Sequence, residues 1–272
     1  MIHRIPSPRD VRLLLRRIPI RDLAGFAILA ALAGWLLLSG SRELGYTWQW
    51  YRIPRYLYRT VDGAFVPGPL LRGLLVTFRI TAIGLVLALC FGLATAFLRL
   101  SGSPLGRGLA RLYVEIVRNT PLLVQIFFIY FVLAPVIGLD RFVSAVLALS
   151  LFEGAYASEI LRAGIVSIHP GQWEAAYSLG MDTLRTYRHV VLPQAVRRVI
   201  PPLTSQAISL VKDSALVSTI SLFDLTMQGQ TIIAETYLTF EIWFTVAAIY
   251  LMITIPLSMG VNLLEKLLRG GN

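Results

Sequence analysis

Residues 70–98 read LLRGLLVTFRITAIGLVLALCFGLATAFL, and this run decides the class of fold. Its only charged residues are Arg72 and Arg79. About 20 apolar helical residues are enough to cross the ~30 Å hydrocarbon core of a bilayer. The run therefore predicts a membrane-spanning helix. A row of small residues at every fourth position lets a second helix approach closely, and this run has one at Gly84, Ala88, Gly92 and Ala96.

The composition of the whole chain supports a membrane protein. Of the 272 residues, 56% are hydrophobic and 15% are charged, and the mean hydropathy is +0.68. A soluble domain carries about 25% charged residues, so this composition excludes an ordinary soluble or disordered chain. Cys90 is the only cysteine, which excludes an intrachain disulfide and a cysteine metal cluster. We expect an all-α, polytopic membrane protein.

Six apolar segments are candidates for membrane spans. They are residues 23–39, 70–98, 121–139, 142–165, 199–220 and 242–259. With the N-terminus inside, the cytoplasmic segments hold 17 Lys and Arg residues and the outer segments hold six. Positive charge favours the cytoplasmic side, so the count predicts N-in and C-in. The basic residues lie at the edges of apolar runs, which indicates membrane topology rather than nucleic-acid binding despite the net charge of +10.

The first 69 residues leave two alternatives open. Residues 1–22 hold six arginines before an apolar run, which is the pattern of a signal peptide or of a retained anchor. The absence of a clear cleavage site favours the anchor. The first outer loop is rich in aromatic residues, which predicts an interfacial belt or a contact surface for an outer partner. They are Tyr46, Trp48, Trp50, Tyr51, Tyr56, Tyr58 and Phe65.

The sequence lacks the common catalytic and nucleotide-binding motifs. Neither Lys212 nor Lys266 follows a glycine, so the chain has no P-loop. It also has no HExxH pair and no G-x-S-x-G elbow. We therefore expect a non-enzymatic chain without a cofactor or metal, whose energy comes from an ion gradient or from another subunit.

Charges inside the predicted spans are functional candidates, because each costs roughly 2.5–3.5 kcal/mol to insert at mid-bilayer. Glu159 has an alternative role in a local ion pair with Arg162, three residues further along the helix. Glu153 has no partner within its own helix, so it must be solvated in a cavity, paired across helices or protonated. The other three charges are Arg79, Lys212 and Asp213.

The fifth span also has a polar face. Ser205, Ser209, Lys212 and Asp213 follow at i, i+4, i+7 and i+8, a spacing that places them on one side of a helix. Such a face lines a water-filled path or forms hydrogen bonds between helices.

Residues 166–198 predict a cytoplasmic elbow of two short helices. Pro170 and Gly171 break the fourth span, and residues 172–179 form a short helix with Trp173, Ala176 and Tyr177 on one side. Gly180 would end this helix, because glycine readily takes the left-handed conformation there. We expect Pro193 to stop a second helix near Leu192, and Pro201–Pro202 to mark the next entry into the bilayer. The elbow is either a docking lever or an interfacial helix.

The spacing E-A-A-x3-G-x9-V-x-L-P, from Glu174 to Pro193, resembles the EAA loop of the permease subunits of ABC importers. Flanking segments resemble the polar amino-acid branch of these permeases, the histidine/glutamate/glutamine/arginine type. These segments are residues 118–122 (RNTPL), 154–164 (GAYASEILRAG), 170–172 (PGQ) and 211–216 (VKDSAL). The resemblance covers residues 70–266 and implies a five-helix transmembrane domain with a coupling loop at 170–193. Residues 1–69 would add a basic tail, one further transmembrane helix and the aromatic outer loop.

The resemblance implies a binding-protein-dependent importer of the bacterial cytoplasmic (inner) membrane. Two permease chains, identical or paired with a sister chain, would form the pathway for a polar amino acid. A soluble binding protein would deliver the substrate. Two ATPase subunits, which bind ATP and Mg, would bind the elbows of the two permease chains. The implied coupling residues are Trp173, Glu174, Ala175, Ala176, Tyr177, Gly180, Leu192 and Pro193.

The candidate pathway residues combine the resemblance with the intramembrane charges. They are Arg79, Glu153, Tyr156, Glu159, Ser209, Lys212 and Asp213. An alternative is a secondary amino-acid carrier that uses Glu153 or Asp213 as its ion site, but that alternative leaves the EAA spacing unexplained. A membrane-embedded enzyme would need a catalytic constellation, which the sequence does not show.

Overall fold

The computed structural model describes residues 20–43 and 45–269. The chain divides into two compact units, one ending at Trp50 and the other beginning at Tyr51. In the first unit, helix α1 spans Ile20–Glu43, and the rings of Trp48 and Trp50 stack with their centroids 5.9 Å apart. The prediction of a retained basic tail lies, up to residue 19, outside the described residues.

The second unit begins with a short hairpin that the sequence analysis did not predict. A 3-10 turn at Trp50–Arg52 and helix α2 (Pro54–Leu57) precede strands β1 (Tyr58–Val61) and β2 (Ala64–Pro67). The strands are antiparallel, with Tyr58 opposite Pro67. Asp62 and Gly63 both have positive φ, at 52° and 78°. An Asp-Gly pair with this backbone is typical of a type I′ turn, which matches the twist of a two-residue hairpin.

Among the described residues, nine further helices follow in chain order. They are α3 (Pro69–Leu100), α4 (Pro104–Arg118), α5 (Leu122–Ile137, with a π turn at Phe128–Leu133), α6 (Arg141–Val166), α7 (Pro170–Ser178), α8 (Thr183–Thr186, followed by a π turn at Tyr187–Val191), α9 (Leu192–Asp213, followed by a 3-10 turn at Ser214–Ile220), α10 (Leu225–Thr236) and α11 (Thr239–Arg269).

Three of these helices are long and apolar enough to cross a bilayer by length and composition. They are Pro69–Leu100, Arg141–Val166 and Thr239–Leu268. Helices α4 and α5 count as a fourth span only as a bent pair, since they meet at 107°. The helical membrane architecture is confirmed, whereas the count of six spans and the N-in/C-in orientation stay predictions.

Helices α3 and α6 pack closely through small residues. An added Cβ at Gly92 would lie 2.8 Å from Cβ of Ala157, and one at Gly154 would lie 2.8 Å from Cβ of Phe91. Ala88 and Ala96 of the same row are buried. The predicted close-packing role of this row is therefore confirmed.

The structure corrects two boundaries around the elbow and its neighbours. Pro193 does not stop a helix, because it lies in the first turn of α9 directly after the π turn. Pro201 and Pro202 lie inside α9, and their place at the entry into the bilayer stays a prediction. A proline at the first turn needs no backbone donor, and a π turn adjusts the hydrogen-bond ladder beside it. Residues 99–118, which lie between the second and third predicted spans, hold the 15-residue helix α4, which we did not predict.

Candidate functional site

The elbow of α7 and α8 has a capped and sharply turned backbone. Nδ1 of His169 accepts a hydrogen bond from the Gly171 amide at 3.0 Å, at the start of α7. Gly180 has φ +76°, so the predicted left-handed end of the first elbow helix is confirmed. Oδ1 of Asp182 then accepts a hydrogen bond from the Arg185 amide at 2.7 Å and caps α8. Each of the two short helices thus begins at its own side-chain cap.

The inner side of the elbow is fastened to the rest of the molecule. Ala176 is buried, and the ring of Trp173 meets that of Tyr187 edge-on with centroids 5.0 Å apart. Nε2 of Gln194 on α9 donates a hydrogen bond to Oε1 of Gln172 at 3.1 Å. These contacts join α7 to the π turn after α8 and to α9.

The outer side of the elbow is exposed and partly apolar. Glu174 and Ala175 are exposed, and Tyr177 is exposed although we predicted it on the same side as Trp173 and Ala176. Leu179 and Leu184, on either side of Gly180, are 79% and 77% exposed. Leu184 lines an apolar groove together with Phe97 of α3 and Leu161 of α6, and Leu179 lies outside that groove. Large apolar side chains exposed on an ordered surface are typical of a protein contact.

Sequence reasoning missed Leu179 and Leu184, although two leucines in an otherwise polar loop were a visible signal. The remaining predicted coupling residues, Leu192 and Pro193, are exposed at the start of α9.

Glu159 lies in an ion cluster at the end of α6 that leads into the elbow. Nη2 of Arg162 is 3.0 Å from Oε2 of Glu159, which confirms the local pair. Arg99, at the end of α3, forms a second salt bridge to Glu159. The cluster therefore ties the elbow ends of α3 and α6 together. Sequence reasoning missed Arg99 because it assigned this residue to a connecting segment.

Glu153 is the most deeply buried charge among the predicted pathway residues, with 2% of its surface exposed. Its Oε2 accepts a hydrogen bond from Nε2 of Gln206 on α9, and the Asp213 carboxyl interacts with it as well. Glu153 is therefore hydrogen-bonded across helices, from α6 to α9. Gln206 was missed, although an amide beside Ser205 in an apolar segment was a signal.

The cavity beside Glu153 is small in this conformation. Its volume is about 10 Å³, and Leu85, Ala88, Glu153 and Gln206 are among its lining residues. A cavity of this size holds no more than about one water molecule. Oε1 of Glu153 is buried and has no hydrogen-bond partner among the described residues. If the helices separated, this oxygen would be free to accept a hydrogen bond from a polar ligand.

The other predicted pathway residues are distributed over several surfaces. Ser205 and Lys212 are exposed on α9, and Ser209 and Asp213 are half-buried. The Tyr156 ring lies beneath the Arg118 guanidinium, whose carbon is 5.3 Å from the ring centroid.

Arg79 is exposed, and the helical repeat turns it more than 100° away from Leu85 and Ala88, which face Glu153. Within one chain, the structure brings Glu153, Gln206 and Asp213 together but does not add Arg79 to them.

Long apolar helices, buried intramembrane polar groups and an exposed elbow define a membrane-embedded transport subunit. Within residues 20–43 and 45–269, no group of three or more His, Cys, Asp or Glu side chains could hold a metal ion. Residues 70–270 match the family model described as "Binding-protein-dependent transport system inner membrane component". The chain belongs to this family, and its resemblance to the permease subunits of ABC importers is confirmed.

Two relatives are each 40% identical to this chain over the aligned region. It is 40% identical over 200 residues to the glutamine transport system permease protein GlnP of Escherichia coli (strain K12), covering 72% of this chain and 91% of that protein. It is 40% identical over 196 residues to the L-cystine transport system permease protein TcyB of Bacillus subtilis (strain 168), covering 71% and 84%.

Solved structures show the same fold. The crystal structure of an amino acid ABC transporter with histidines has a chain that is 37% identical, with a TM-score of 0.69, covering 73% of this chain and 93% of that one. A chain of the MetNI methionine ABC transporter in an inward-facing conformation is 18% identical, with a TM-score of 0.62, covering 74% and 96%. The second likeness concerns the fold alone.

Proposed function

We propose that this chain is the permease subunit of a binding-protein-dependent ABC importer that moves a polar amino acid across the bacterial cytoplasmic membrane. The exposed elbow is the observation that supports this proposal most directly. The printed names of the relatives, for glutamine and L-cystine, favour an amino-acid substrate. ATP and Mg²⁺ would bind to a separate ATPase subunit, and this chain would need no cofactor of its own.

The elbow has the features that an ATPase contact requires. Leu179 and Leu184 would enter the partner's surface, since burial of a leucine side chain contributes roughly 1.5–3 kcal/mol. Glu174 lies in the second turn of α7, beyond the first turn, which holds no acidic residue. It would therefore contact the ATPase rather than stabilise the positive end of its own helix. The hydrogen bond from Gln194 to Gln172 would transmit the movement to α9.

The polar face of α9 supports a pathway between two permease chains. Ser205 and Lys212 are exposed although they belong to a predicted span, and charged or polar groups at membrane depth face protein or water rather than lipid. A second permease chain, a copy of this one or a sister chain, would face this surface and enclose a water-filled path. Residues 70–266 would form this transmembrane domain, and residues 1–69 would be an addition to it.

The amino-acid zwitterion needs groups of both charges along the path. Lys212 would suit a carboxylate, and Glu153 would suit a cationic side chain once α3, α6 and α9 separate around it. Tyr156, Ser209 and Asp213 would shape the same path. Glu159 is engaged by two arginines, so its role would be to hold the elbow ends of α3 and α6 together.

The experiment that tests this function is co-purification followed by an ATPase assay. The chain would be co-expressed with its neighbouring transport subunits, purified and reconstituted with the soluble binding protein. Substrate-loaded binding protein should stimulate ATP hydrolysis, because alternating access couples the two events. A stable complex that hydrolyses ATP at the same rate with loaded, empty or no binding protein would contradict the proposal.

A further inference from the structure

Helix α4 has three distinct faces, and within the described part of the chain only one of them is buried. The buried face consists of Gly106, Ala110, Val114 and Val117. The second face is an exposed apolar stripe of residues at i, i+4, i+7 and i+11. It consists of Leu105, Leu109, Leu112 and Ile116, which are 57–73% exposed. Helical geometry places both faces along the full length of the 15-residue helix.

The third face of α4 is basic. Arg107, Arg111 and Arg118 share this face, where Glu115 is the one acidic residue, and all four are exposed. Arg99, at the end of α3, lies within electrostatic range of Arg111 and Arg118 and adds to the positive potential there. The surface of α4 that is turned away from the apolar stripe therefore attracts anions.

The position of α4 matches the plane of a membrane surface. Helix α4 follows the end of α3 that pairs with the elbow end of α6 through Arg99 and Glu159, and its axis turns 107° from that of α5. If α5 crosses the bilayer, α4 lies nearly parallel to the surface on the elbow side. An amphipathic helix in this position buries its apolar stripe at the headgroup boundary and keeps its basic residues among the headgroups.

An apolar groove adjoins the stripe at Leu109. It has a volume of about 210 Å³ between α3, α4 and α6, and Leu98, Leu109 and Tyr113 are among its lining residues. Phe91 of α3 and Leu151 of α6 line the same groove. The basic face, the stripe and the groove thus offer an anionic headgroup contact followed by a path for an acyl chain.

We propose that α4 is a binding surface for anionic phospholipid of the elbow-side leaflet, with Arg107 and Arg111 holding the headgroup and the apolar stripe and groove holding the chain. This inference uses the membrane orientation given with the proposed function, but not transport itself. Charge complementarity favours an anionic phospholipid as the occupant. Neither a neutral lipid nor an apolar protein helix would need the row of arginines.

The test measures lipid retention rather than transport. The assembled transporter would be extracted from vesicles that contain phosphatidylglycerol and phosphatidylcholine, and native mass spectrometry would count the lipids retained on each complex. Each basic residue near an anionic membrane surface contributes about a fivefold change in affinity. The variant Arg107→Gln/Arg111→Gln should therefore lose phosphatidylglycerol selectivity by about fivefold or more.

Two variants control for folding and for general charge. Arg107→Lys/Arg111→Lys keeps the charge and should retain the selectivity. Arg52→Gln/Arg59→Gln removes two arginines from the other end of the molecule and should also retain it. Unchanged selectivity in Arg107→Gln/Arg111→Gln would overturn the proposal, as would an equal loss in Arg52→Gln/Arg59→Gln. Because lipid retention is read without ATP or substrate, failure of the importer function would not alter this result.

Discussion

Glu153 is the buried carboxylate whose charge gives the most specific test of the proposed transport pathway. The change Glu153→Gln keeps an acceptor oxygen for Gln206 and removes the negative charge, so the permease should still assemble. Hydrogen bonds to a charged group contribute about 1.5–3 kcal/mol, so uptake of a cationic amino acid should fall about tenfold or more relative to a neutral one. Transport kinetics across a substrate panel would measure this ratio.

The matched control for Glu153 is Glu235→Gln. Glu235 is exposed near the end of α10, so its neutralisation should leave the substrate preference unchanged. Kinetics identical to those of the unaltered protein for every substrate in Glu153→Gln would reject a role for this carboxylate in the pathway.

The glycines of α3 provide a residue-scale test of helix packing. Gly92→Ala would place Cβ 2.8 Å from Cβ of Ala157, and overpacking of this kind costs about 1–3 kcal/mol. Gly84→Ala would meet its nearest atom, on Leu210, at an ordinary 3.7 Å. Thermal unfolding in detergent, followed by size-exclusion chromatography, should show a lower midpoint for Gly92→Ala and little change for Gly84→Ala. Equal midpoints would contradict the close contact between α3 and α6.

At the residue scale, the sequence alone predicted contacts within one helix or turn better than contacts between helices. The pair of Glu159 and Arg162 followed from spacing within one helix, and so did the turn at Gly180. Gln206 and Arg99 could not be assigned, because their contacts depend on how α9 and α3 lie against α6. Long-range pairing of this kind is fixed by tertiary packing, which a periodic pattern in one segment does not contain.

The elbow is the element whose surface makes the sharpest prediction. Leu179→Ala/Leu184→Ala removes two exposed side chains without disturbing the buried Ala176, so the permease should fold normally. Because each buried leucine contributes roughly 1.5–3 kcal/mol, retention of the ATPase subunit should weaken about tenfold or more. Quantitative co-purification would measure the effect.

A control for the elbow variant lies at the start of the second compact unit. Tyr51 is 80% exposed, and Tyr51→Ala should leave the ATPase subunit bound. Full retention of the ATPase subunit by Leu179→Ala/Leu184→Ala would show that the two leucines are not the contact.

Two elements show where hydropathy and helix-breaking rules fail. Helix α4 was not predicted, because its arginines lower the hydropathy of the segment, although its buried, apolar and basic positions repeat with helical spacing. Pro193 was predicted to end a helix, but the π turn before it lets the helical path continue into α9. A proline in the sequence favours the end of a helix, but the backbone of the adjacent turn determines whether the helix ends there.

For the whole molecule, composition and the elbow motif were sufficient to predict a helical permease. The division into residues 1–69 and 70–266 stays a prediction, although the family match begins at residue 70. The number of spans also stays a prediction, because α5 and α9 are interrupted by π or 3-10 turns and by proline. Their place in a bilayer depends on a partner chain that would cover the polar face of α9.

The most direct test of this account is uptake of labelled arginine, histidine, glutamine, glutamate and aspartate into proteoliposomes. The vesicles would hold this chain, its neighbouring transport subunits and the soluble binding protein, with and without internal ATP. The account predicts that one class of polar amino acid accumulates only when ATP is present. Accumulation that ignored ATP and followed a proton or sodium gradient would contradict it, and would favour a secondary carrier with Glu153 or Asp213 at its ion site.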